Sequence, residues 1–346
     1  MFKVFVKNAS TGNELLWRSV KIKKSLDDIC HILELEIPPS ERLKVKRHHR
    51  LEIRCRNKLV NDSNGERRVS TVLVDEITAS ADTDKHSVTV IGRSPARDII
   101  DSTWSNNFIN DGKKDDLTLR DIIKIIGKKF NIQCDSFPTN EADPTEIVSC
   151  FDFENESPWT KLTDEADQQG FILTSNEAGN LYLWKVPGAG NITKPFHITE
   201  GQNIKSIKWT ENGSEQFHEY VVKGGGHEPE IEIDNTCPQG RTLTIDVSDP
   251  LVTETKLKRR ALTELRRRRE TKTIVTVSGW GLTDEQIKGL GNTNKKELYW
   301  VPNTLIPVKA PSLGLNANLL ISEVEYEATH ELMSCSLTLV NREMYL

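Results

Sequence analysis

Nine lysines and arginines crowd the 17 residues KLKRRALTELRRRRETK, from Lys256 to Lys272, more densely than anywhere else in the sequence. Arginine forks bind phosphate and carboxylate oxygens in pairs, so the run's chemistry is anion binding. Two glutamates leave it a local charge of +7. The whole chain carries −5, which puts −12 on everything outside the run. A protein that follows a phosphate backbone usually presents a basic domain rather than one basic island in an acidic chain. No specific nucleic-acid binding is therefore expected. An acidic surface on a partner, or on another copy, suits the run better.

The remaining candidates for chemistry are weaker. GGGHEPEIE (224–232) has the outline of a metalloprotease helix, but Pro229 breaks it and no second histidine follows four residues on. A glycine-rich turn after a strand is the expected structure. GLGNTNKK (289–296) has the wrong spacing for a phosphate loop and reads as a surface turn. His48 and His49 lack an acidic or cysteine neighbour at ligand spacing. Asp98 and Asp101, beside Arg97, suit a helix start rather than acid–base work. Six scattered cysteines with no CxxC pair are expected to be reduced thiols. The seven tryptophans are expected in core and interfaces. No catalytic, metal or cofactor site is expected, and the chain reads as a non-enzyme.

On a helical wheel the basic run is amphipathic. Leu257, Ala261, Leu262 and Leu265 fall on one side. Arg259, Arg260, Arg266 and Arg267 project away and are the candidate protein–protein contacts. Glu264 can pair with Arg260 or Arg268, four residues either way. Asp249 as N-cap and Pro250 as first helical residue predict a helix of about five turns beginning there.

Three units are expected to position these residues. Residues 1–98 hold the strand patterns KVFVKN, RLEIRCR, VSTVLVDEITAS and HSVTVIGR. SLDDICHILELEI between them reads equally as helix or strand. Residues 99–190 mix helix and strand: Thr118 and Asp121 predict a capped helix over LRDIIKIIGKKF, with Leu119, Ile122, Ile123, Ile126 and Phe130 buried. Ser157, Pro158 and Gly170 frame a second helix with Trp159, Leu162 and Ala166 inward. FILTSNEAGNLYLW predicts a hairpin. Residues 191–346 return to strands around the basic helix, placed at about 250–271. The fold class is mainly β with an α+β insertion. At 36% hydrophobic and 28% charged, the chain is expected to hide part of its apolar surface between subunits. No apolar run reaches the roughly 20 residues of a membrane span, and the start lacks a signal-peptide core.

Ser70–Arg93 resembles Ala317–Arg342. Each has an apolar strand, an acid at the same place (Glu76 and Glu323), a polar turn and a second strand ending in Arg93 or Arg342. The second copy reads as two residues longer at its turn. Two similar β-barrels flanking the α+β insertion are the expected consequence.

Four motifs in order resemble the baseplate hub proteins of contractile-tailed phages of the Mu type, related to the late control D proteins. VTVIGRSPARDIIDST is similar to that family's strand-to-linker block. FENESPWTKLTDEADQQGFILTSNEAGNLYLW is similar to its E-S-x-W helix, glycine and hairpin ending G-N-L. RRALTELRRRRETKTIVTVSGW resembles its RA-x-x-E-x-x-R helix and V-x-V-x-G-W strand. LYWVPNTLIPVKAPSLGLNANLLISEVEY resembles its W-x-x-N-x-L-x-x-V and L-L-I-x-x-V strands. The loop in GWGLTDEQIKGLGNTNKKELYW departs from the family pattern.

The resemblance implies a structural protein of the virion tail baseplate, made in the host cytoplasm. It implies a homotrimer whose protomers each carry two tail-tube-like β-barrels, joining a sixfold tail tube to a threefold tail spike, with other baseplate proteins as partners. A type VI secretion spike-hub component or a tail-associated cell-wall hydrolase is the alternative.

Overall fold

The computed structural model describes residues 2–57, 66–81, 86–103, 117–134, 157–192, 196–247, 252–269, 271–282 and 299–346. Its largest element is a 13-stranded sheet. The N-terminal half supplies β1 (Phe2–Asn8), β2 (Glu14–Leu15), β3 (Ser19–Ser25), β4 (Ile32–Ile37), β5 (Arg50–Asn57), β6 (Glu66–Ala81) and β7 (His86–Arg93). The C-terminal half supplies β10 (Ile198–Thr199), β11 (Ile204–Glu211), β15 (Thr271–Ser278), β16 (Leu305–Ala310), β17 (Leu315–Thr329) and β18 (Met333–Val340). The ambiguous stretch resolves into a turn through Leu26, Ile29 and Cys30, all buried, followed by strand β4.

Strand order is β11-β15-β18-β17-β3-β4-β7-β6-β5-β1-β2, with β16 and β10 beside β17. The two halves expected as separate barrels are thus joined edge to edge, and no barrel closes among the described residues. The joint is made by β3, whose sequence SVKIKKS carries too much lysine to look like a strand. Its alternation nevertheless fits: Val20, Ile22 and Lys24 are buried while Lys21 and Lys23 face outward. Opposite them on β17, Val324, Tyr326 and Ala328 are buried and Glu323, Glu325 and Glu327 face outward. Lys23 meets Glu323 at 2.8 Å, and Lys21 meets Glu325 at 2.9 Å and Glu327 at 3.4 Å. The main core draws on both halves, from Val4 and Val6 to Leu337 and Leu339.

The internal resemblance is structural. β6 pairs with β7 and β17 with β18, each pair antiparallel and with a register break at the same place. The break falls between Val74 and Glu76 in the first hairpin and between Ile321 and Glu323 in the second, a β-bulge just before each matched glutamate. The backbone that approaches each bulge also matches. The N–H of His48 bonds Val74 O at 2.9 Å, and the N–H of Asn303 bonds Ile321 O at 2.9 Å. Both residues are left-handed, at φ 66° and 60°. The register corrects one expectation. Leu73 faces Arg93 and Leu320 faces Val340, while Ala81 faces His86 and Ala328 faces Met333. The hairpins are therefore equal in length, and the counterpart of Arg93 is Val340. Arg342 lies beyond the strand in a short 3-10 helix, Arg342–Tyr345.

Between the halves sits a small α+β module. Helix α1 (Arg97–Ile100) precedes α2 (Leu119–Lys129), whose Thr118 and Asp121 form the expected reciprocal cap. Helix α3 (Pro158–Gln168) has Ser157 accepting from the Trp159 N–H and ends at Gly170, φ 74°. A residue with a Cβ resists that conformation, which is why the chain turns there. The hairpin β8 (Ile172–Ser175) and β9 (Leu181–Trp184) completes the module. Its core gathers Leu119, Ile122, Ile126, Leu162, Ala166 and Leu173; Phe130 and Trp159 are only partly buried.

A second insertion separates β11 from β15: the three-stranded sheet β12 (Glu219–Gly224), β13 (Glu230–Ile233) and β14 (Thr242–Val247), then helix α4 (Glu254–Arg268). Among the described residues no helix is long and apolar enough to cross a membrane.

Candidate functional site

Helix α4 carries the basic run, and its start is later than expected. Thr253 caps it, accepting from the Lys256 N–H at 3.4 Å, so the helix spans 15 residues. Asp249 and Pro250 lie outside the described residues. Leu257, Ala261 and Leu265 are buried as the wheel requires; Leu262 is only partly so. Leu257 and Ala261 pack with Val222 and Val252 against the three-stranded sheet, over Ile245 and Val247. That packing turns much of the basic face toward α3 and the chain's own acids.

The resulting ion pairs are both local and long-range in sequence. Lys256 Nζ reaches Glu165 Oε1 and Oε2 at 3.0 and 3.1 Å. Arg260 pairs with Glu264 at 3.0 Å and approaches Asp164 at 3.9 Å. Arg267 donates to Asp167 at 2.7 Å. Arg268 pairs with Glu264 at 3.2 Å and lies over the Phe217 ring. Arg269 donates to Asp234 at 2.6 Å. Arg266 donates to the main-chain oxygen of Leu346. Of the four candidate contact residues, Arg260 and Arg267 make ion pairs, Arg266 makes a main-chain hydrogen bond, and Arg259 makes neither among the described residues. Arg260, Arg266 and Arg267 are held within the chain, where Asp164, Glu165 and Asp167 of α3 form the acidic face that the sequence reading overlooked. The stretch TDEADQ held the signal: three acids within four residues, matching the basic helix in charge.

Electrostatics at this seam follow from burial and pairing. Burial pushes the Asp167 carboxyl up, against the opposing pull of the Arg267 charge beside it. Asp234 goes the other way, down to about 2, because Arg269 and then Thr236 hydrogen-bond its charged form. A second cluster joins the sheet to the middle module. Lys24 is buried 3.8 Å from Glu177, and Arg67 reaches the same carboxylate at 3.4 Å. Burial brings the Lys24 ammonium down to about 8, with Glu177 resisting the change.

The weaker candidates are dispersed. His48 Nδ1 contacts Arg97 at 3.1 Å, while His49 Nδ1 contacts Asn8 at 2.9 Å, so the histidine pair is split. Asp101 is gripped by both Arg93 η-nitrogens, at 3.0 and 2.6 Å, and Asp98 lies 3.3 Å from Arg97. Gly225 and Gly226, both at positive φ, turn the chain out of β12, and His227 Nε2 contacts Val252 O at 3.0 Å. Cys30, Cys55, Cys134, Cys237 and Cys335 are free thiols; Cys150 and Trp104 lie outside the described residues, as does GLGNTNKK. Among the described residues no group of three or more His, Cys, Asp or Glu is placed to hold a metal ion. What this geometry does is hold parts of one chain together.

No protein-family profile matches the chain. A curated relative, "Baseplate hub protein gp44" of Escherichia phage Mu, is 23% identical over 339 residues, covering 89% of this chain and 79% of its own length. The chain is thus similar over most of its length to a Mu-type baseplate hub, as its sequence motifs led one to expect. Solved structures share this chain's fold. The 43 kDa tail protein of prophage MuSo2 from Shewanella oneidensis matches at a TM-score of 0.79 and 21% identity, covering 99% of both chains. The tail protein from Neisseria meningitidis MC58 matches at 0.76 and 15% identity, over 99% of this chain and 98% of that one.

Proposed function

We propose that the chain is the structural hub of a contractile-tail baseplate, acting as a homotrimeric adapter between a sixfold tail tube and a threefold spike within the virion. The observation that carries this reading is the repeated strand arrangement, with the same bulge before Glu76 and Glu323. Two like units per chain give six in a trimer, the number needed to face a sixfold tube. In this reading residues 1–98 and 191–346 each act as a tube-like unit, and residues 99–190 with α4 brace them. Cyclic closure also removes open strand edges from solvent. Of the basic face, Arg259 and its neighbour Lys258 stay available for a second copy or another baseplate protein, since Arg260, Arg266 and Arg267 already have partners.

Light scattering together with electron microscopy, on the protein alone and mixed with its spike and tube proteins, tests the reading. A trimeric ring with a central channel that captures both partners is the expected result. Monomers alone, with both partners present, overturn it. A lytic band for the purified hub on a peptidoglycan zymogram overturns the structural reading in favour of a hydrolase.

A further inference from the structure

We propose that the enclosed cavity between β3 and the β8–β9 hairpin binds a small monovalent anion, chloride in solution, against the Lys24 ammonium. The site lies within one chain and stands apart from the assembly reading above.

The cavity measures about 30 Å³, and its walls include Lys24, His31, Thr174, Ser175, Asn176 and Glu177. One water needs roughly 10–15 Å³ on this scale. A chloride ion therefore fits, whereas a multi-atom anion such as gluconate does not. Thr174 and Asn176 carry a hydroxyl and an amide, both able to donate to an anion.

Lys24 is the wall that calls for a ligand. Its side chain is only 5% exposed, and Glu177 Oε1 lies 3.8 Å from Nζ, near enough to attract but too far to hydrogen-bond. The Tyr326 ring, 5.7 Å from Nζ, offers only its face. Among the described residues no oxygen accepts from Nζ within hydrogen-bond distance. An ammonium carries three donors, and a buried one that uses none is costly.

Charge decides for an anion over a neutral ligand. The titratable groups around Nζ are Glu177 from the hairpin turn, Arg67 from β6, His31 from the turn before β4, Tyr326 from β17 and Cys335 from β18. Burial brings His31 down to about 3 and raises both the Tyr326 hydroxyl and the Cys335 thiol, so all three are neutral at pH 7. Two cations, Lys24 and Arg67, then face one carboxylate, which Arg67 reaches at 3.4 Å. The enclosure carries +1 while Lys24 is protonated, and a monovalent anion makes it neutral. Without the anion, burial drives Lys24 toward losing its proton, at about 8. Anion binding and proton retention therefore favour each other. Lys24 belongs to β3 and Glu177 to the hairpin turn, so the ion ties the middle module to the sheet.

Thermal melts of wild type and Lys24→Met, in sodium chloride and in sodium gluconate of equal ionic strength, test the site at pH 7 and pH 10. Chloride is expected to raise the wild-type melting temperature by about 2–4 °C over gluconate at pH 7. The shift is expected to fade at pH 10, where Lys24 gives up its proton, and to be missing from Lys24→Met at both pH values. Lys24→Met is accordingly expected to exceed wild type by more in gluconate than in chloride. Crystals grown in sodium bromide give the direct reading, with one anomalous peak beside Nζ in wild type and none in the variant. No chloride shift in wild type, an equal shift in both proteins, a shift unchanged at pH 10, or a water in place of bromide overturns the proposal.

Discussion

Arg267 lies 2.7 Å from Asp167, one hundred residues earlier in the chain, and the pair pins α4 to α3. Arg267→Ala leaves a largely buried carboxylate without its partner. The expected loss is about 1–3 kcal/mol of stability, read from urea midpoints. The double variant Asp167→Asn/Arg267→Ala is expected to lose less than the sum of the singles. Equal and additive losses would show that the pair is not coupled. Charge reversal at Arg267 is accordingly expected to lower protomer stability directly, whatever it does to assembly.

Lys24 offers a stabilising substitution. Burial holds its ammonium at about 8, below its ordinary 10.5, so the unfolded chain binds the proton more tightly than the folded one. Stability therefore rises with pH between about 8 and 10.5. Lys24→Met removes the buried charge, while Arg67 still faces Glu177. A gain of about 1 kcal/mol at pH 7 is expected, shrinking as the pH passes 10. Thermal melts of both proteins at pH 7 and pH 10 check it, and a constant gap between them would refute the account.

Asp234 governs the acid side. Its carboxyl sits at about 2 against an ordinary 3.8, so its contribution is fully present above pH 4 and is lost as pH falls through about 2. Arg269 is partly solvated, which keeps the contribution on the order of 1 kcal/mol. Asp234→Asn is expected to remove that slope from the variant's own stability curve, so that the gap to wild type narrows as pH falls from 4 to 2. Curves that run parallel there would exclude the role.

The β3–β17 joint is testable by charge exchange. Lys21→Glu with Lys23→Glu places like charges across it and is expected to cost about 1–2 kcal/mol at low salt. Adding Glu323→Lys and Glu325→Lys is expected to restore most of the loss. Failure of the exchange to rescue stability in denaturant titrations would remove charge from the account of this joint.

Gly92 faces Val74 beside the first bulge, and a Cβ there would meet Leu73 O at 2.7 Å. Gly92→Ala is expected to destabilise the chain by about 1–3 kcal/mol, because backbone must move to admit it. A melting temperature unchanged from wild type would contradict that packing.

Local chemistry in the sequence was legible where one segment sufficed to state it. Thr118 with Asp121, and Ser157 with Pro158 and Gly170, mark helix ends through bonds made within a few residues. Most strands announced themselves through β-branched alternation, and the repeated hairpins through the placement of Glu76 and Glu323. What stayed hidden depends on pairing distant segments. SVKIKKS reads as a strand once Glu323, Glu325 and Glu327 stand opposite its lysines, and the sheet becomes continuous between the two halves at that joint. The arginine helix was read correctly as amphipathic, yet its polar side could not be assigned without knowing that α3 lies against it. The described helix is capped by Thr253, four residues beyond Asp249 and nearer the buried stripe, while Asp249 and Pro250 lie outside the described residues.

The seam between β3 and β17 also sets an order of events during synthesis. Ser19–Ser25 leaves the ribosome long before its partner Glu323–Thr329. Until then β3 waits with one edge unfilled, and the sheet cannot become continuous. Contacts so far apart in the chain slow folding, because a long loop must close before they form. The same delay means that a nascent chain without β17 cannot complete the sheet.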